Sequence, residues 1–65
     1  MSNNFQPILL NVNEASMYLN MKVSWLRSAV FQRQIPFIKL GRLIRFDKKD
    51  LEKWIETNKN TLGAE

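Results

Sequence analysis

The 65-residue chain contains no cysteine and no histidine, and only two glycines and two prolines. Without cysteine no disulfide can staple the fold, and without either residue there is no Cys/His zinc site. The lack of histidine also removes the catalytic arrangements in which an imidazole serves as general base. A chain this short buries only about 60% of the surface that its unfolded form exposes, so the core is small and stands on packing alone. Apolar runs are short too. None approaches the roughly 20 residues needed to cross a bilayer, and the start Met-Ser-Asn-Asn-Phe-Gln-Pro lacks a basic region followed by an apolar one. These absences lead us to expect a cytoplasmic protein with no cofactor, no metal and no membrane partner.

Acidic residues are scarce where basic ones are dense. Residues 22 to 49 hold Lys22, Arg27, Arg33, Lys39, Arg42, Arg45, Lys48 and Lys49 against the single anion Asp47, an excess of seven positive charges. The remainder of the chain carries an excess of three negative charges. Such separation points to a surface for a polyanion, nucleic acid being the commonest soluble one. A solvated basic face is the plainer alternative. Hydrophobic residues at 45% and charged residues at 25% are those of an ordinary globular domain.

Three helices and a hairpin are legible along the chain. Residues 1–8, with Phe5 and Ile8 as their apolar anchors, read as a flexible leader. Leu9, Leu10 and Val12 form an apolar lead-in to a first helix that begins at Asn13 as N-cap, carries Ala15, Tyr18 and Leu19 at i, i+3 and i+4, and ends near Asn20. A second helix runs from Val23 to Gln32, with Leu26, Ala29 and Val30 as its buried stripe. About three residues join the two helices. That spacing suits a helix-turn-helix, and equally an ordinary helical hairpin. Ile35-Pro36 ends the helical region in extended backbone.

Two β-rich stretches, Phe37-Ile38-Lys39-Leu40 and Leu43-Ile44-Arg45-Phe46, flank Gly41-Arg42, a glycine-first loop suited to a type II′ turn. In that register Lys39 opposes Ile44 and Ile38 opposes Arg45, so neither face is purely apolar and the pattern leaves the inward face open. A third helix starts at the N-cap Asp47, buries Leu51, Trp54 and Ile55, and frays after Thr57. Residues 58–65 read as a flexible tail, leaving 9–57 as the domain.

The segments Leu9-Leu10-Asn11-Val12-Asn13-Glu14-Ala15, Leu19, Ile35-Pro36, Lys39-Leu40-Gly41-Arg42, Arg45-Phe46 and Asp50-Leu51-Glu52-Lys53-Trp54-Ile55, in this order, resemble the excisionase-type, MerR-like helix-turn-helix family. The resemblance covers residues 9 to 56. It implies an α+β fold, a small winged helix-turn-helix of three short helices with a two-stranded antiparallel hairpin wing between the second and third. It further implies that the second helix enters the major groove of double-stranded DNA and the wing meets the adjacent backbone or minor groove. One departure lies at Lys22, where the family has a small polar cap. Either Lys22 caps poorly and touches phosphate, or the helix starts at Ser24. Val23 and Trp25 also depart from the family, so base preference does not carry over.

For base contacts the recognition helix offers Lys22, Ser24, Trp25, Arg27 and Ser28, of which Arg27 is the foremost. An arginine meeting a guanine edge in bidentate fashion discriminates by ~1 to 3 kcal/mol. Trp25, beside Leu26, reads chiefly as a packing residue against the third helix, with stacking on sugar or a thymine methyl as its other use. Lys39, Arg42 and Arg45 cluster at the hairpin and suit backbone contacts. Shielding of exposed strand edges is their other role. Lys48 and Lys49 are candidates for phosphate contacts or solvated surface. Phe46, Leu51 and Trp54 are assigned to the core.

With no long helix after the third, the chain is similar to a free-standing excisionase, a recombination directionality factor of a phage or other mobile element. It would bend DNA at repeated sites, associate with itself there, and direct an integrase or recombinase toward excision. A small prophage transcriptional regulator of the AlpA type would use the same fold on promoter DNA. From another class, a protein-interaction adaptor would turn the basic face to an acidic partner. An enzyme has the least support, because Glu14, Asp47, Asp50, Glu52, Glu56 and Glu65 are the only acids and form no catalytic constellation.

Overall fold

A computed structural model describes residues 8–59. The leader and tail fall largely on residues 1–7 and 60–65, which lie outside the described residues. In chain order the elements are β1 (Leu9–Leu10), α1 (Val12–Leu19), α2 (Val23–Phe31), β2 (Ile38–Leu40), β3 (Leu43–Asp47) and α3 (Lys48–Thr57). The expected α+β winged helix-turn-helix is present, with one addition: β1 pairs with β3 and makes the sheet three-stranded, in the order β1-β3-β2.

The first helix begins two residues earlier than expected. Asn11, not Asn13, is its N-cap. The Asn11 side chain accepts from the Glu14 backbone N–H at 2.8 Å, and the Glu14 carboxylate accepts from the Asn11 N–H at 2.9 Å. Only a residue three positions before Glu14 can close this reciprocal box, which satisfies two otherwise orphaned donors. The shift makes Val12 helical and resets the buried stripe to Val12, Ala15, Ser16 and Leu19, leaving Tyr18 exposed. Buried Ser16 donates its hydroxyl to the Asn13 carbonyl at 2.7 Å and so costs little.

Leu9 and Leu10 are a strand, not a tucked lead-in. Leu9 pairs with Asp47 and Leu10 with Phe46 in antiparallel register. The Ile8 carbonyl then accepts from the Lys48 N–H at 2.9 Å, which ties this end of the expected leader to the start of α3.

The hairpin has the expected register, with Ile38 opposite Arg45, Lys39 opposite Ile44 and Leu40 opposite Leu43. Gly41 takes φ +64° while Arg42 stays at negative φ. That combination is the type II′ pattern; type I′ would need positive φ at both positions. Phe46, Ile44 and Phe37 face the helices, so Lys39 shares the inward face and Arg45 the outward one, with Ile38, Leu40 and Leu43. The question left open by the pattern is thereby answered.

The core consists of Ala15, Leu26, Ala29, Ile35, Phe46 and Leu51, with Leu10, Val12, Leu19, Met21, Val30, Phe37, Ile44 and Trp54 packed around it. Trp54 closes the rim and donates its indole N–H to the Gln34 carbonyl at 3.1 Å. Trp25 is not part of this core. It is 50% exposed on α2, because Leu26 and Ala29 occupy the inward side of that helix and turn Trp25 onto its flank. No helix among the described residues is long and apolar enough to cross a membrane.

Candidate nucleic-acid interface

The turn between α1 and α2 is built from backbone geometry. Asn20 adopts the left-handed conformation (φ 56°, ψ 52°), its N–H bonds to the Met17 carbonyl at 3.2 Å, and the Met21 N–H bonds to Ser16 at 2.9 Å. This is a Schellman closure, and asparagine is among the few side chains that tolerate its central position. Met21, half-buried, packs against the core and fixes the chain direction into α2. The two helices are thus held across one another as a helix-turn-helix requires.

Helix α2 begins at Val23 with Lys22 as its N-cap, and the Lys22 side chain makes no capping hydrogen bond. Of the two possibilities at this departure, the poor cap is the one realised. No acidic residue stands in the first turn of α2. Its leading N–H groups and the Lys22 ammonium therefore present only positive charge, an arrangement that favours an anion.

Along α2, Leu26 and Ala29 face the core. At about 3.6 residues per turn the opposite face carries Ser24, Ser28 and Phe31, all exposed, with Arg27 on one flank and Trp25 on the other. Gln32 donates its side-chain amide to the Ser28 hydroxyl at 3.0 Å and accepts from the Gln34 side chain at 3.1 Å. Arg27 lies beside a shallow apolar groove of about 220 Å³ between α2 and the sheet, lined also by Val12, Val30, Phe31 and Ile44. Lys39 is the cross-strand neighbour of Ile44 on the same face of the hairpin. The fold thus brings Arg27 and Lys39 to the same side of the molecule, with Arg42 at the hairpin turn between the strands.

The remaining cations are placed differently. Arg45 is half-buried on the outward face of the sheet, where its Nη1 donates to the Ile44 carbonyl at 2.8 Å. The Lys48 ammonium stands 5.6 Å from the centre of the Tyr18 ring, which engages it against α1. Lys49 lies on the α3 face shared with Glu52, Lys53 and Glu56, where the charges balance. Among the described residues, none of Lys22, Arg27, Arg33, Lys39 or Arg42 forms an ion pair or a side-chain hydrogen bond.

Two features escaped the sequence reading. Phe31, the last residue of α2, is 87% exposed at the centre of the outward face; its offset from the Leu26, Ala29, Val30 stripe was the available signal. Arg33 sits in the left-handed region at φ 58° and closes α2, with its N–H on Val30 at 3.0 Å and the Gln34 N–H on Ala29 at 2.8 Å. A bulky residue at positive φ has no sequence signature.

Neither curated proteins nor solved structures give a match to this chain. One family model does match, that of the helix-turn-helix domain, over residues 9–59. The match spans α1, the Asn20 turn, α2, the hairpin and α3, the elements whose geometry is described above. This chain therefore belongs to the helix-turn-helix domain family and is a DNA-binding helix-turn-helix protein.

Proposed function

We propose that this protein binds specific sites on double-stranded DNA with α2 in the major groove and the hairpin against the neighbouring backbone or minor groove, and that it acts as an excisionase. In this reading it bends DNA at repeated sites and directs an integrase toward excision, without cutting DNA itself. The observation that supports it most is the set of cations on one helix and one wing that have no partner among the described residues. Lys22 and the open N-terminus of α2 suit a phosphate, Arg27 suits a guanine edge, and Lys39 with Arg42 suits the phosphates flanking the groove. The positions of Ser24, Ser28 and Trp25 on the exposed side of α2 make them further base or sugar contacts. Arg45, Lys48 and Lys49 are turned elsewhere or engaged, so we give them the smaller part.

The role in excision draws on the resemblance of the sequence to excisionases. The same domain on promoter DNA would be a regulator, and footprinting separates the two. The protein should protect repeated sites within the attachment region of an integrating element, and permuted fragments carrying those sites should migrate as bent DNA. Protection of a promoter alone, with unbent fragments, would overturn the excisionase role and leave the DNA docking standing.

A further inference from the structure

We propose that Phe31 reads the 5-methyl group of a thymine, one or two base pairs from the base that Arg27 meets. The inference rests on the docking of α2 in the major groove put forward above. Phe31 is 87% exposed, more than any other large hydrophobic side chain among the described residues. It is not at a frayed end, since the Schellman closure through Arg33 and Gln34 holds the helix immediately after it. Its ring lies on the outward face with Ser24 and Ser28, at i+7 and i+3 from them, and borders the same apolar groove as Arg27.

A phenyl ring offers no hydrogen bond, so its contribution to a complex comes only from apolar contact. The major-groove edges of the base pairs present hydrogen-bond donors and acceptors, and the one apolar group among them is the thymine methyl, beside its O4 acceptor. A phenylalanine centred on the face that enters the groove is therefore matched to that methyl. Arg27 precedes Phe31 by four residues, about 6 Å along the helix, against about 3.4 Å per base pair. That spacing sets the one or two base pairs between the two contacts. Met17, also well exposed, lies on α1 off this face, and Trp25 occupies the flank away from Arg27, so neither competes for the same position.

The test uses the full chain and a duplex selected by it from a random pool. Each thymine of that duplex is replaced in turn by deoxyuridine, which deletes the methyl and keeps every hydrogen-bonding group. At one position the parent should lose about fourfold in affinity, the equivalent of one buried methyl at ~0.8 kcal/mol. Phe31→Ala should bind the thymine and uracil forms equally there, and Phe31→Leu should keep part of the preference. Because the ring is nearly fully exposed, both variants should melt with the parent. A parent indifferent to uracil throughout, or a methyl preference that survives in Phe31→Ala, would overturn the inference. So would loss of self-association in Phe31→Ala with the methyl preference intact, which would assign the ring to a protein contact. A parent that selects no duplex at all would instead remove the docking on which the inference rests.

Discussion

Lys22 and Arg33 stand at the two ends of α2, and each occupies a position that a different residue would fill more stably. Lys22 is an N-cap that makes no capping bond, and a serine there would satisfy one of the open N–H groups. Lys22→Ser should therefore stabilise the fold by about 1 kcal/mol, seen as a rise of roughly 4 to 8 °C in Tm, while weakening DNA binding through the lost cation. Arg33 holds φ 58°, a conformation that costs an L-residue about 1 to 2 kcal/mol and glycine almost nothing. Arg33→Gly should gain roughly 0.5 to 1 kcal/mol after the added freedom of the unfolded glycine is subtracted. Chemical denaturation of both variants checks the two gains, and an unchanged or lower stability would refute the assigned strain. Retaining two cations at unfavourable positions is what a binding surface does when stability is not its only requirement.

At the scale of elements, the hairpin divides its cations between two faces. Lys39 shares the inward side with Ile44, toward α2, whereas Arg45 lies outward and bonds to its own strand. Lys39→Ala should lower the slope of log affinity against log salt by about one, the effect of one lost phosphate contact, and Arg45→Ala should leave that slope nearly unchanged. Titrations at several salt concentrations measure both; equal losses would place both side chains on phosphate. The division was not legible in the sequence, because Ile38 opposes Arg45 and Lys39 opposes Ile44, an apolar residue facing a charged one in both pairs. Only Phe46, fully buried between the helices and the sheet, decides which side is inward. The hairpin itself was legible, since Gly41 and the β-branched and aromatic residues around it define a two-residue turn. So was α2, whose Leu26, Ala29 and Val30 keep helical spacing. The start of α1 was misplaced because Asn11 and Asn13 are both good caps and only Glu14 discriminates between them. β1 was missed because two residues carry no periodicity, and the partner of Leu10 lies 36 positions away at Phe46. Trp25 was misassigned because adjacency to Leu26 in sequence is a turn of roughly 100° on a helix, enough to leave the core.

For the molecule as a whole, the positive excess in residues 22 to 49 becomes spatially organised on folding. Among the described residues, α2 and the inner face of the wing keep cations without partners, while α3 mixes Lys49, Glu52, Lys53 and Glu56 and is followed by Lys59, which pairs with Glu56 at 3.2 Å. A side of single sign steers a polyanion and dominates its affinity. With three or four phosphates engaged, the salt slope of the parent should be about −3 to −4, at ~0.9 per phosphate. Sequence preference, by contrast, must come from the few side chains on α2, and Arg27 is the strongest of these. The most direct measurement is therefore the affinity of the parent and of Arg27→Ala for a selected duplex and for a random one of equal length, at fixed salt. Docking of α2 in the major groove predicts that Arg27→Ala lowers the ratio of the two affinities by roughly 5- to 150-fold, the equivalent of about 1 to 3 kcal/mol, with a much smaller change on random duplex. An undiminished ratio in Arg27→Ala would contradict the account.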